Sequence, residues 1–224
     1  DGFFRMGNMV KKAILFDLDG TLADTAPDLG VALNRLLNRR GLPEKDIDEI
    51  RSVASHGAAG LILLGVGISR DHPDYQRWRT DYLAEYETCF SEKTTLFFQI
   101  NLLLTELSKR GLCWGIVTNK PKTFTDRLVP ALGLAIPPEI IVSGDTCSEA
   151  KPNPMPILYA CSQIGVEAQD CLYVGDAERD IAAGRNAGMK TILAEWGYIA
   201  PSDEPKTWHA DYSAKEPLDI LKWI

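Results

Sequence analysis

The sequence of 224 residues contains no apolar run that approaches the roughly 20 residues of a membrane-spanning helix. It also lacks a basic excess, because 24 Lys and Arg residues stand against 31 Asp and Glu residues and give a net charge of −7. The first ten residues lack the long apolar core of a signal peptide. These absences argue against a membrane protein and against nonspecific binding of nucleic acid.

Cysteine pairs of the CxxC type are absent as well, and the 5 cysteines are odd in number. The sequence therefore predicts neither a zinc site nor a framework of disulfides. We expect the cysteines to be small buried side chains in a reducing environment. The expected protein is cytoplasmic and is a monomer or a homodimer.

Strand and helix patterns alternate from about residue 96 to the end of the chain. Such alternation predicts an α/β protein with a parallel sheet and helices on both faces. Residues 24–95 show helical patterns alone, including a long helix over residues 71–92. We therefore predict a core domain made of residues 9–23 and 96–224, with a helical domain of residues 24–95 inserted after the first strand.

The first chemical signal is the segment Phe16-Asp17-Leu18-Asp19-Gly20-Thr21-Leu22, which follows a short apolar strand pattern. Open α/β sheets bind their ligands at the carboxyl ends of their strands, where these aspartates lie. If the chain stays extended through Asp19, the carboxylates of Asp17 and Asp19 point the same way. Paired carboxylates attract a hard cation such as Mg²⁺. A lone Asp-x-Asp is more often a polar turn, and the longer motif favours the site.

Three further signals fall at the ends of predicted strands. Thr118 and Asn119 end one strand pattern, and Lys151 precedes a proline that begins a helix. Gly175-Asp176 ends another strand pattern, with Asp180 four residues later. Hydroxyl, amide and ammonium groups can bind phosphoryl oxygens, and the acids can bind a metal. Each signal has an ordinary alternative: a turn, a solvated lysine, or acids that favour a helix N-terminus.

In their order and spacing, these four signals resemble the motifs of the haloacid dehalogenase superfamily, over nearly the whole chain. DLDGT is similar to the first motif and Thr118 to the second. Lys151 is similar to the third, and Gly175-Asp176 with Asp180 to the fourth. The resemblance implies a Rossmann-like parallel sheet core, and residues 24–95 resemble the helical C1 cap of the superfamily.

The resemblance also implies roles for these residues. Asp17 would be the nucleophile that forms an aspartyl phosphate, and Asp19 the general acid and then the general base. The metal ligands would be Asp17, the backbone carbonyl of Asp19, and Asp176, with Asp180 as a supporting acid. The implied cofactor is Mg²⁺.

The remaining implied roles concern the substrate, a small phosphate ester. Thr118, Asn119 and Lys151 would hold its phosphoryl oxygens, and Gly20 and Thr21 of the first motif would also bind it. In the cap, His56 lies in a loop between helical patterns and is the best candidate for specificity. A lone histidine in such a loop is more often an ordinary polar residue.

Asp19 favours phosphate-ester chemistry within the superfamily, because the true dehalogenases lack this acid and the transport ATPases carry a threonine there. Phosphonatases use a cap lysine as a Schiff base. The cap lysines here, Lys45 and Lys93, lack the apolar surroundings that would lower a lysine pKa. We therefore predict a Mg²⁺-dependent phosphatase.

Several longer stretches resemble the phosphoglycolate phosphatase group, namely DLDGTLADTAPDL, WGIVTNKP and WGY. The last of these, with its flanking residues, is also similar to the N-acetylmuramic acid 6-phosphate phosphatases. Both substrates carry a carboxylate, so Arg51, Arg77 and Arg79 of the cap are candidates for pairing with it, although solvated surface positions are the commoner case. One departure lies at the cap hinge, where Phe97-Phe98-Gln99 replaces the usual Pro-Gly turn.

Two further interpretations remain beside the phosphatase. A sugar phosphomutase of the same fold would need a cap residue that acts as acid and base on the sugar. A non-catalytic binding protein would be expected to have lost a nucleophile or metal ligand. Every motif residue is present here, which disfavours that interpretation.

Overall fold

A parallel sheet of six strands forms the centre of the structure, a computed structural model that describes residues 12–224. The order across this sheet is β5-β4-β1-β6-β7-β8, and a separate antiparallel ribbon pairs β2 with β3. In chain order the strands are β1 (Ala13–Phe16), β2 (Ala23–Asp24), β3 (Thr95–Leu96), β4 (Cys113–Val117), β5 (Ile140–Val142), β6 (Leu172–Gly175), β7 (Lys190–Ala194) and β8 (Tyr212–Ala214).

Helices occupy most of the remaining chain. The α-helices are α1 (Ala26–Arg39), α2 (Ile47–Val53), α3 (Gly57–Val66), α4 (Tyr75–Glu87), α5 (Ile100–Lys109), α6 (Lys122–Ala131), α7 (Met155–Ile164) and α8 (Glu178–Asn186). Short 3₁₀ helices cover Ala54–His56, Ala168–Asp170, Pro205–Trp208 and Pro217–Trp223.

Strand β1 shows how the sequence builds a sheet that is buried on both faces. Its alternate side chains enter two different clusters: Ile14 and Phe16 pack with apolar residues of α5 and α6, whereas Ala13 and Leu15 pack with those of α7 and α8. A strand covered on both faces reads as a continuous apolar run, as AILF does. The predicted parallel α/β core is confirmed.

The helices α1 to α4 form a cluster of their own, in which leucines of α1 pack against tyrosines of α4. This cluster lies in the segment between the ribbon strands β2 and β3, which join it to the sheet. The division of the chain into a core and a cap at residues 24 and 95 stays a prediction. Residues 9–11 of the predicted core lie outside the described residues.

The long helix predicted over residues 71–92 is shorter than expected. It covers Tyr75–Glu87, because Pro73 lies in a turn before it and cannot donate a helical hydrogen bond. The segment after Glu87 forms turns, with the Thr88 hydroxyl donating to the Glu85 carbonyl at 2.7 Å. The last helix of the chain is the 3₁₀ helix Pro217–Trp223.

The predicted hinge, Phe97-Phe98-Gln99, contains a left-handed residue that is not glycine. Gln99 has φ 69° and ψ −4° and lies directly before α5. A left-handed conformation costs a non-glycine residue roughly 1–2 kcal/mol. The Gln99 side chain offsets part of this cost, because its Oε1 accepts a hydrogen bond from the Leu218 backbone N–H at 3.1 Å.

Two expectations from composition can be compared with the structure. Within residues 12–224 no disulfide joins the cysteines, and Cys89, Cys161 and Cys171 are buried as predicted, whereas Cys113 and Cys147 are half-buried. No helix in this part of the chain combines the length and apolar character needed to cross a membrane.

Candidate active site

The predicted site residues meet because β1 lies between β4 and β6 in the sheet. Asp17 directly follows β1, Thr118 follows β4, and Asp176 follows β6. Parallel strands end at the same edge, so the fold brings these three side chains together from well-separated parts of the chain. The edge is the one at which open α/β sheets bind ligands.

An acidic cluster forms the base of the site. Asp17, Asp176 and Asp180 each offer a carboxylate oxygen, these atoms lie within 4.8 Å of one another, and all three residues are buried. Burial, and then the charge of Asp180, raise the pKa of Asp17 to about 7 and that of Asp176 to about 6. Both shifts reflect the cost of holding carboxylates together away from water.

Lys151 is the counter-ion of this cluster, and its side chain is fully buried. Its Nζ lies 3.0 Å from Asp17 Oδ1 and 2.8 Å from Asp180 Oδ1, and it also donates to the Tyr173 hydroxyl at 2.7 Å. Burial alone would raise the pKa of Asp180, but the charges of Lys151 and Arg179 outweigh it and lower that pKa. Lys151 therefore holds Asp180 ionised and keeps Asp17 in place.

The donor set fits a divalent cation. The Oδ2 atom of Asp17 is buried and accepts no hydrogen bond from residues 12–224. Burying a carboxylate oxygen without a donor beside two further carboxylates destabilises the folded state unless a cation or a proton binds that oxygen. An all-oxygen cluster is the kind that hard cations prefer. Asp17 and Asp176 are the acids best placed to hold it. Asp17 offers the bare Oδ2 atom although its Oδ1 pairs with Lys151, and Asp176 forms no ion pair among the described residues, whereas Asp180 pairs with Lys151 at 2.8 Å.

We predict that Mg²⁺ stabilises the protein strongly in mild alkali and weakly in acid. At about pH 8, Mg²⁺ at a hundred times its Kd should raise Tm by about 5–10 °C. At about pH 5 the rise should nearly vanish, because Asp17 and Asp176 are then protonated and must lose protons to bind the cation. Thermal unfolding at both pH values measures this.

The control for this measurement is Asp176→Asn, in which the response to Mg²⁺ should be lost at about pH 8. An equal rise in Tm at both pH values, or a rise retained in Asp176→Asn, would place the cation elsewhere.

Gly20 and Thr21 support Asp176 from the turn after β1. Gly20 has φ 81°, and a Cβ atom there would overlap the Asp176 carboxylate, so this position requires glycine. The Thr21 hydroxyl donates to Asp176 Oδ1 at 3.2 Å, and the Tyr198 backbone N–H donates to Asp176 Oδ2 at 2.9 Å. These contacts orient a candidate metal ligand, and the predicted role of Gly20 and Thr21 in binding substrate stays a prediction.

The carboxylate of Asp19 points to different partners from that of Asp17. The chain does not stay extended through Asp19, because β1 ends at Phe16 and the Leu18 carbonyl accepts hydrogen bonds from the following turn. Asp19 Oδ1 accepts from the Thr25 hydroxyl at 2.6 Å and from Lys120 Nζ at 2.9 Å. Each aspartate of the first motif is thus paired with its own lysine.

Thr118 and Asn119 hold the two lysines in place. The Lys120 backbone N–H donates to Thr118 Oγ1 at 3.1 Å. The Asn119 side chain pairs twice with the backbone of Lys151, donating at 2.8 Å and accepting at 3.0 Å. The amide of Asn119 is therefore engaged by protein, and the contacts of both residues with a phosphoryl group remain predictions.

The helical segment reaches the site through the loop before α3. The Ser55 hydroxyl donates to Asp176 Oδ2, and the Arg179 guanidinium donates to the Ser55 carbonyl. Arg179 also lies 3.3 Å from Nδ1 of His56, which is exposed. Sequence reasoning missed Lys120, Ser55 and Arg179. For Arg179 a signal existed, since it lies between the two aspartates of the fourth motif.

A cavity of about 1190 Å³ separates the sheet edge from the helical segment. Its walls include Asp17, Asp19 and Lys151 on one side and α4 on the other. The predicted residues Thr118, Asn119 and His56 line it as well, whereas Gly20, Thr21, Asp176 and Asp180 do not. The cavity exceeds the usual 300–1,000 Å³ of a small-molecule site.

Comparison with known proteins agrees with this fold. The chain belongs to the haloacid dehalogenase-like hydrolases, because the sequence profile of that family matches residues 14–194.

Individual relatives cover nearly the whole chain. It is 38% identical over 216 residues to the N-acetylmuramic acid 6-phosphate phosphatase of Pseudomonas aeruginosa, covering 96% of each protein. It is 39% identical over 209 residues to the phosphoglycolate phosphatase of Xanthomonas campestris pv. campestris, covering 93% of this chain and 94% of that protein. A crystal structure from Haemophilus somnus, described as a predicted phosphoglycolate phosphatase, superposes with a TM-score of 0.83 at 26% identity. It covers 96% of this chain and 99% of that one.

Proposed function

We propose that this protein is a Mg²⁺-dependent phosphatase that hydrolyses a small phosphorylated metabolite through an aspartyl phosphate on Asp17. The observation that carries the proposal is the state of Asp17: a buried carboxylate at the wall of a cavity, with one oxygen paired to Lys151 and the other without a donor among the described residues. The phosphatase names of the relatives support it.

In the first step an oxygen of Asp17 attacks phosphorus, a P–O bond to Asp17 forms, and the ester P–O bond breaks. The leaving oxygen takes a proton from Asp19. Lys120 and Thr25 orient Asp19, at 2.9 and 2.6 Å from its Oδ1. In the second step Asp19 takes a proton from water, which attacks phosphorus and releases phosphate and the Asp17 carboxylate.

The charges of the reaction are balanced by groups around these two aspartates. Mg²⁺, when bound by Asp17, the backbone carbonyl of Asp19 and Asp176, would neutralise negative charge on the phosphoryl group. Lys151 offsets the charges of Asp17 and Asp180 throughout. Residues 24–95 act as a cap, and the contacts of Ser55 with Asp176 and Arg179 support a closed position over the site.

The relatives suggest two substrates, phosphoglycolate and N-acetylmuramic acid 6-phosphate, at nearly equal identity. Both carry a carboxylate in addition to the phosphate. Arg70, Arg79 and Arg179 line the cavity and supply cationic groups that suit a second anion. The sequence-derived candidates Arg51 and Arg77 do not line it.

The proposal predicts Mg²⁺-dependent phosphate release from one of these esters in a panel that also contains common sugar phosphates. We expect kcat/KM for the preferred ester to exceed the others by at least about tenfold. Release of phosphate that is independent of Mg²⁺, or none from any ester, would contradict the proposal. Acceleration by a bisphosphorylated sugar with formation of an isomer would indicate a phosphomutase instead.

A further inference from the structure

One face of α4 forms a continuous wall of the cavity. Tyr75, Arg79, Tyr82 and Tyr86 follow one another at intervals of four, three and four residues, and all four line the cavity. Residues at such intervals lie above one another on the same face of a helix. We call these four side chains the α4 stripe. The cavity therefore follows α4 over about three turns.

The catalytic end of the stripe is Tyr86. Nζ of Lys120 lies 4.6 Å from the centroid of the Tyr86 ring, and the same Nζ is bound to Asp19. Burial, and then the charge of Asp19, raise the pKa of Tyr86 well above its usual value. Arg79 lies two turns further along the stripe, about 10 Å along the helix axis at ~1.5 Å per residue.

Arg79 is a half-buried cation that forms no hydrogen bond or ion pair within residues 12–224. Four arginines of the helical segment have protein partners: Arg35 with Thr88, Arg39 with Glu85, Arg40 with Asp81 and Arg51 with Asp24. Arg70 and Arg77 have no partner among the described residues either, but both are exposed, so Arg79 is the half-buried arginine of this group that lines the cavity. A guanidinium between two tyrosines on a cavity wall can bind a carboxylate with two parallel hydrogen bonds. Its position and lack of a protein partner indicate a ligand anion.

We infer that Arg79 binds a carboxylate of the substrate at the far end of the cavity from the phosphate. The inference rests on the proposed function, and it selects a phosphate ester about the size of a sugar. In phosphoglycolate the carboxylate is attached to the carbon that bears the phosphate, so it stays near Lys120 when the phosphate is at Asp17. A carboxylated sugar phosphate can extend along the stripe to Arg79, and the large cavity accommodates it.

The experiment compares N-acetylmuramic acid 6-phosphate with N-acetylglucosamine 6-phosphate, which has the same ring without the lactate ether. In Arg79→Gln, KM for the first ester should rise about 10- to 100-fold, with kcat and the constants for the second ester changed less than about twofold. The matched control is Arg77→Gln, because Arg77 lies on the same helix but is exposed and does not line the cavity. This substitution should leave kcat and KM unchanged for both esters.

Three results would overturn the inference. The first is that Arg79→Gln raises KM equally for both esters, which would indicate a structural role. The second is that it changes KM for neither ester. The wild type could also prefer phosphoglycolate, with Arg79→Gln leaving that preference intact. Thermal unfolding of Arg79→Gln checks that the variant folds.

Binding measured by calorimetry separates this inference from the proposed function. In the Asp17→Asn background, Arg79→Gln should weaken binding of N-acetylmuramic acid 6-phosphate about 10- to 100-fold and leave that of N-acetylglucosamine 6-phosphate unchanged. If the wild type releases no phosphate from any ester, the proposed function fails, and Arg79 is still judged by this difference in binding. Equal binding with and without Arg79 would refute its role whatever the turnover.

Discussion

Asp17→Asn is expected to abolish phosphate release, lowering kcat by at least about 1,000-fold with the preferred ester. An amide has nearly the volume of a carboxylate but cannot attack phosphorus to form the acyl phosphate. It also removes one of the two acids best placed to hold a cation. Phosphate release over a range of Mg²⁺ concentrations measures the effect and shows whether excess cation restores any activity.

This variant should remain folded. The pKa of Asp17 is raised to about 7, chiefly by burial and by Asp180, so ionisation of Asp17 is disfavoured in the folded state. A group whose folded pKa lies above its unfolded value destabilises the protein as pH rises through that interval. A neutral amide removes this effect, so at about pH 8 without Mg²⁺ the Tm of Asp17→Asn should equal or exceed that of the wild type.

The matched control is Asp126→Asn, at an exposed residue of α6 that pairs with Lys122. It makes the same chemical change outside the site and should leave turnover unchanged. Turnover of Asp17→Asn within about tenfold of the wild type would mean that Asp17 is not the nucleophile.

The sequence predicted the positions of the strand ends well because they depend on local patterns. The run Ala13-Ile14-Leu15-Phe16 is apolar throughout, which is typical of a strand buried on both faces, and its end fixes where Asp17 lies. The parallel order of the strands then brings Asp17, Thr118 and Asp176 to one edge. Little beyond hydrophobic pattern and chain direction is needed for that result.

The partners of the site residues could not be predicted in the same way. Lys120 and Ser55 act through contacts between segments far apart in the chain, and no local pattern distinguishes them from solvated residues. Arg179 lies within the fourth motif, but that position does not reveal its contact with the Ser55 carbonyl. The side chain of Asn119 binds the backbone of Lys151, a contact that the sequence does not reveal, and its predicted contact with a phosphoryl group stays a prediction. An amide can satisfy either role, and only the fold determines which group lies within reach.

At the predicted hinge, tertiary contacts outweigh the local preference for glycine in a left-handed conformation. A left-handed residue before α5 favours glycine, and the sequence has Gln99 there instead. The conformation is kept because Phe97 packs against the core and the Gln99 side chain binds the Leu218 N–H. Propensity alone would have predicted a different turn at this point.

Lys151→Met is expected to lower the free energy of unfolding by about 3–5 kcal/mol at neutral pH. Lys151 is fully buried and lies within 3.0 Å of both Asp17 and Asp180. Methionine has a similar length but no charge, so both buried carboxylates would lose the ammonium group that lies within 3.0 Å of them. Urea unfolding monitored by circular dichroism measures the loss, and turnover should also fall because Asp17 loses the contact that holds its Oδ1.

The cause of that loss can be tested by pH and by a second substitution. Without Lys151 the folded-state pKa values of Asp17 and Asp180 should rise, so the deficit should be large at about pH 8 and shrink at about pH 5, where both acids can bind a proton. Adding Asp180→Asn to Lys151→Met removes the Asp180 carboxylate that has lost its ammonium partner. The double variant should therefore have a higher free energy of unfolding than Lys151→Met alone, without regaining turnover.

Lys122→Met is the matched control, because Lys122 is an exposed lysine that pairs with Asp126 on the same helix. The free energy of unfolding of this variant should differ little from that of the wild type. A deficit in Lys151→Met that is independent of pH and is not reduced by Asp180→Asn would point to lost packing, because a neutral cavity does not respond to proton binding. A deficit that shrinks at low pH and is reduced by Asp180→Asn would show that charge compensation is the main contribution of Lys151 to the fold. The same ammonium group would then stabilise the protein and hold the Asp17 carboxylate beside the cavity, which explains why so costly a buried cluster lies at the end of β1.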